Sequence, residues 1–111
     1  MSLAYYKQHD LEPSLNFALQ NADGSAILLT GATGVNIILR PTGATSGETK
    51  HAMTVVDAAN GLVRHTWISG DTNTVGTYDL ECEIIWPTSR PQTVPNHGYD
   101  TLIISDDLDS P

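Results

Sequence analysis

Asp71-Thr-Asn-Thr-Val-Gly76-Thr-Tyr78-Asp-Leu-Glu-Cys82-Glu-Ile84-Ile-Trp86 is a turn cluster running into an alternating segment. Within it Tyr78, Leu80, Cys82, Ile84 and Trp86 share one face, while Asp79, Glu81 and Glu83 share the other. A period of two is the side-chain repeat of a β-strand, and strict apolar/acidic alternation means that one face meets a core and the other meets water. The segment therefore predicts a long half-buried strand with Cys82 pointing inward. It speaks to architecture rather than to chemistry.

Outward from this strand, similar signals recur. Leu15, Phe17 and Leu19 alternate with Asn16 and Ala18, and the turn cluster Asn21-Ala-Asp23-Gly24 follows. Ile27, Leu28 and Leu29 form a short apolar run that reads as a strand, closed by Thr30-Gly31-Ala-Thr-Gly34. Val35, Ile37 and Leu39 alternate up to Pro41, which ends that strand or confines it to an edge. Residues 41–49 lack apolar periodicity and read as a flexible connection.

Met53 and Val55 lead into Asp57-Ala-Ala-Asn60-Gly61, and Val63, His65 and Trp67 lie beyond it. Asn-Gly tolerates the positive φ that a chain reversal needs, so a hairpin is expected here. Pairing Val55 with Val63 sets Met53 opposite His65, and His51 opposite Trp67. On this reading His65 is half-buried on the core side. An aspartate there is expected to destabilise the fold, while a tyrosine is expected to be tolerated. Residues 87–98, with Pro87, Pro91 and Pro95, read as loop. Leu102-Ile103-Ile104 centres a last strand, Tyr99 to Ser105.

No stretch sustains a helical period. About seven short strands separated by Gly, Asn, Asp and Pro predict an all-β fold, an antiparallel immunoglobulin-like β-sandwich, with a small barrel as the alternative. Gly76-Thr-Tyr78 at the head of a strand looks like a tyrosine corner of such sandwiches. The expected organisation is an N-terminal extension over 1–11, the sandwich over 12–105 with antiparallel pairing throughout, and an acidic C-terminal tail over 106–111. The expected core includes Phe17, Ile37, Trp67, Tyr78, Leu80, Cys82 and Ile84.

The chain has 111 residues, enough for one core, and 40% of them are hydrophobic. It lacks an apolar run long enough for a membrane span and a leader-like start, so synthesis and folding in the cytoplasm are expected. Thirteen acidic residues against 5 basic give a net charge of −8. That balance argues against nucleic acid or an anionic membrane as the main partner, since both demand a cationic surface. A single cysteine, Cys82, excludes an internal disulfide, and without a base nearby in sequence it reads as a small buried hydrophobe.

Catalytic and metal chemistry find little support. None of His9, His51, His65 and His97 lies within four residues of another, so no pair has the close spacing common in zinc sites. Asp106, Asp107 and Asp109 lack the glycine-containing loop and closing glutamate of an EF-hand. Asp71, Asn73 and Asp79 are better explained as turn caps. There is no nucleophile elbow, no GxGxxG and no phosphate loop, so neither an enzyme nor a cofactor is expected. Trp86, beside Pro87 at a strand end, is the aromatic placed for surface recognition. Together with Arg90, His97 and Tyr99 it forms the candidate contact surface.

Several pieces in order resemble the immunoglobulin-like N-terminal domain of phage baseplate upper proteins. They are Leu15-Asn-Phe17, Asp23-Gly24, Leu29-Thr30-Gly31-Ala-Thr33, Val35 to Leu39, Val55-Val-Asp57, Asn60-Gly61-Leu-Val63, Trp67, Gly76-Thr-Tyr78 and Pro95-Asn-His-Gly98-Tyr99. The resemblance spans residues 12–108. It implies a non-catalytic virion or prophage structural module that docks tail, baseplate or neck subunits after assembly in the bacterial cytoplasm. Symmetric tail organelles further imply a homo-oligomer within the particle. The alternative from another class is a carbohydrate-binding or adhesion domain with Trp86 and Tyr99 as its platform.

Overall fold

The computed structural model describes residues 3–95 and 100–106. Its strands are β1 (Leu3–Lys7), β2 (Leu15–Ala18), β3 (Gly34–Pro41), β4 (Thr49–Ala52), β5 (Thr54–Asp57), β6 (Leu62–His65), β7 (Gly76–Trp86), β8 (Arg90–Val94) and β9 (Asp100–Ser105). They form two layers. The larger sheet runs β1-β9-β7-β3-β4, with β8 also paired to β7, and the smaller runs β2-β6-β5. The smaller sheet corresponds to strands B, E and D of an immunoglobulin fold, and β9-β7-β3-β4 to G, F, C and C′. The protein is an all-β, immunoglobulin-like sandwich.

β7 is its axis. It pairs with β3 along one side, while β9 and β8 divide the other side between its two halves. Leu80, Cys82 and Ile84 are sealed in the core, as their alternation requires, with Ile37 from β3 and Leu102 from β9. Tyr78 and Trp86, on the same face, are half-buried at its ends.

The Asn60-Gly61 reversal is local chemistry. Asp57 accepts from the Ala59 N–H at 3.2 Å and from the Asn60 side-chain amide at 2.7 Å, capping a single 3-10 turn over Ala58–Asn60. Gly61 then takes φ +68°, and a Cβ there would lie 2.7 Å from the Leu19 carbonyl oxygen and 2.8 Å from that of Ile27. Val55 pairs with Val63 as expected. Thr54 pairs with Arg64 as well, but beyond Thr54 the expected hairpin does not continue. At Met53, whose N–H donates to the Val35 carbonyl at 2.8 Å, the chain leaves the smaller sheet, and β4 joins β3 in the larger one. His51 therefore approaches His65 from the opposite layer instead of facing Trp67 along a ladder.

Further expectations need correction. Residues 1–11 are not simply an extension, because Leu3–Lys7 forms a strand of the larger sheet. It pairs with β9 in parallel, so pairing is not antiparallel throughout. Residues 87–98 are not all loop. Thr88 and Ser89 take φ +63° and +59°, and the chain returns as β8. Pro91 fits there because, among the described residues, β8 pairs with β7 alone and its other side carries no ladder. Ile27–Leu29 is not a strand. It is tied down by Ile27 N–H to Leu19 O and Leu29 N–H to Ala58 O, both 2.9 Å, with Ile27 and Leu29 buried. Phe17 is half-buried at the border of the core rather than sealed within it.

Candidate functional site

The structure brings two of the four expected contact residues together. Trp86 and Arg90 are direct partners across the β7–β8 reversal, and they line a shallow hollow with Pro87, Thr88, Pro91 and Gln92. Arg90 is exposed. Trp86 is half-buried and packs on the core, and its indole N–H donates to Gln92 Oε1 at 2.9 Å. The ring is thus held by its own strand pair. His97 and Tyr99 lie outside the described residues, as do Asp107 and Asp109 of the acidic tail.

A second cluster lies inside the sandwich, where β4 and β6 face each other. His65 is buried, 4% exposed, with its ring centroid 4.6 Å from Trp67 in an edge-to-face contact and 5.3 Å from His51. Trp67 meets Tyr6 in turn, centroids 5.1 Å apart. The Asp71 carboxylate lies 3.7 Å from His65 Nε2, close enough to attract it but too far for a hydrogen bond. Burial pushes the His65 pKa down; Asp71 opposes this and His51 adds to it. His65 Nε2 and Trp67 Nε1 are buried without a hydrogen-bond partner among the described residues. Asp71 itself accepts from the Ile68 N–H at 2.8 Å, the turn-capping role expected of it. Asn73 serves instead as a tether. Its side-chain oxygen meets His9 Nδ1 at 2.9 Å and its backbone carbonyl accepts from Gln8 Nε2 at 2.7 Å, which ties the end of β1 to the 66–75 loop.

Cys82 is buried at 2% exposure against Met53, and burial pushes its thiol pKa up to about 12. A thiol so protonated is a packing group and a poor nucleophile. Among the described residues, no three His, Cys, Asp or Glu side chains converge as a metal site would require. No helix there is long and apolar enough to cross a membrane.

A third feature was not visible in the sequence: a cleft of about 430 Å³ beside the side of β2 that carries no ladder among the described residues. Leu15, Phe17 and Leu19 line it from one layer, and Leu80, Cys82 and Val94 from the other. The apolar alternation of 15–19 indicated a strand but not that one of its edges would stay open.

The fold defines an immunoglobulin-like sandwich whose edge strands carry no outer ladder among the described residues. The chain matches no protein-family model and no curated protein.

Proposed function

We propose that this protein is a non-catalytic structural module of a phage or prophage particle, docking neighbouring subunits of the tail, baseplate or neck. The supporting observation is where the motif pieces fall on the sandwich. Leu29 to Thr33 carries the chain from the smaller sheet into β3. Gly76-Thr-Tyr78 opens β7 with the Tyr78 hydroxyl bonded to the Thr74 carbonyl at 2.8 Å, the contact that defines a tyrosine corner. Such a module acts by shape-complementary packing and by strand edges that accept a partner.

The test is association with particles. Mass spectrometry of tails purified after induction of the source bacterium should find the chain at a fixed stoichiometry to the tail subunits. Its presence in the lysate and absence from particles would overturn the reading, as would a gene lying within a sugar-utilisation operon. The carbohydrate-binding alternative needs an exposed aromatic platform. Trp86 is half-buried with its N–H already engaged, which counts against it, and a glycan array with tryptophan fluorescence titration tests it directly.

A further inference from the structure

The strand edges of this sandwich are not alike. β4 carries Lys50, β5 is broken by a bulge between Val55 and Asp57, and β8 contains Pro91. Each is a device that discourages pairing with another chain. β2, Leu15-Asn-Phe-Ala18, has no lysine, proline or bulge, and among the described residues it pairs with β6 alone. The Leu19 N–H donates to Gly61 O at 2.8 Å, continuing the β2–β6 ladder. By alternation the N–H groups of Leu15 and Phe17 also face β6, and those of Asn16 and Ala18 face outward. The apolar cleft runs beside this edge, and Phe17 is left half-buried within it.

We propose that β2 and its cleft take up an extended, cationic segment of a different polypeptide chain, which joins the smaller sheet as a fourth strand. The outward backbone groups of Asn16 and Ala18 select an extended backbone, since only a strand presents matching groups at that repeat. Alternate apolar side chains of the incoming strand enter between Phe17 and Leu19 on one layer and Leu80 and Val94 on the other. Charge selects the sign. Among the described residues that line the cleft none is a cation, and the chain carries −8 overall. The nearby Arg64 is engaged across the ladder, its Nε donating to Asn16 Oδ1 at 3.0 Å. A second copy would bring like charge to the same edge, whereas a lysine-bearing strand gains attraction. This inference names the contact behind the assembly reading and rests on it for the origin of the strand.

The full chain, labelled with 15N, is titrated with a short capped peptide in which valine alternates with lysine. Two controls are a valine–glutamate peptide and a valine–lysine peptide N-methylated on alternate amides. The lysine peptide should shift the Asn16 and Ala18 amides and slow their hydrogen exchange by at least about tenfold. Both controls should bind at least about tenfold more weakly, as should Ala18→Pro, which deletes one outward N–H without touching the bonds to β6. If Ala18→Pro does not fold, the N-methylated peptide gives the same readout on the unaltered protein. Unmoved amides at Asn16 and Ala18, or equal binding of the glutamate peptide, would overturn the proposal. Slow exchange of those amides in the free protein would overturn it too, because the edge would then already be covered. Failure of the peptide removes this contact alone, while association with particles is judged separately by mass spectrometry.

Discussion

The Tyr78 hydroxyl donates to the Thr74 carbonyl at 2.8 Å, and the Tyr78 ring lies 3.7 Å from where a Cβ on Gly76 would stand. One side chain thus clamps the turn that precedes the central strand of the larger sheet. Tyr78→Phe keeps the ring and deletes the bond. The expected loss is about 1 kcal/mol, or roughly 5 °C in Tm for a domain of this size, measured by urea and thermal unfolding. Unchanged stability would show that the hydroxyl does not hold the turn.

Gly61 occupies a left-handed conformation, with two backbone carbonyl oxygens within 3 Å of any added Cβ. Neither oxygen can swing away as a side chain would, because both belong to the backbone, and the Leu19 carbonyl also accepts the Ile27 N–H. Gly61→Ala should therefore cost more than positive φ alone usually does, about 2 kcal/mol or more. Denaturant midpoints compare it with Gly43→Ala, where φ is +86° but a Cβ would meet nothing within 4 Å. Equal losses at both positions would rule out the crowding.

His65 should make stability depend on pH. Its folded pKa is lowered, chiefly by burial, so the folded state favours the neutral imidazole and binds fewer protons than the unfolded chain. This contribution is fully present above the unfolded value of about 6.5 and is lost as pH falls through the folded value. The side chain faces His51 on β4, with Asp71 and Trp67 from the loop after β6, so His51 and Asp71 set the local charge. Tm should fall between about pH 7 and about pH 5, and a His65→Leu variant should show a shallower slope. Identical slopes would remove His65 as the cause.

At the same position His65→Asp should cost about 3 kcal/mol or more, since it buries a carboxylate beside Asp71. His65→Tyr avoids the charge but enlarges a side chain packed against Trp67 and His51, at a cost of about 1–3 kcal/mol. The deep burial revises the expectation that a half-buried site would simply tolerate tyrosine. Melting curves of the two variants should fall in that order, aspartate below tyrosine.

Cys82 should resist thiol reagents in the folded protein. Its thiol is buried and held protonated, so labelling with a disulfide reagent at neutral pH should be slow until denaturant is added. Rapid labelling of the native chain would mean that β7 opens readily or that the thiol is not buried.

What could be read from the chain followed the range of the forces involved. The alternation of Leu80, Cys82 and Ile84 made the inward face of β7 legible, because the strand is half-buried and neighbouring residues report opposite environments. Asp57, Asn60 and Gly61 made their reversal legible because the bonds that stabilise it join residues two or three apart. β8 escaped notice because its turn uses Thr88 and Ser89, and not Gly or Asn, for positive φ, while Pro91 reads as a strand breaker until its place at an edge is known. Of the candidate contacts, Trp86 and Arg90 were named from the sequence, but their pairing across a strand reversal was not, since residues 87–98 read as loop. Nor was the cleft at β2, since an open edge is defined by a strand that does not pair.

The amino-acid order by itself determined that β2, β3, β5, β6, β7 and β9 extend, which face of β7 turns inward and where the chain reverses at Gly61, because each depends on neighbours within a few residues. The tertiary structure alone decided that β1 lies parallel to β9, that the chain changes layers at Met53, and that His51 and His65 meet across the core. Those outcomes arise from pairing between residues far apart in the chain, where the burial gained by the whole sandwich outweighs any local preference.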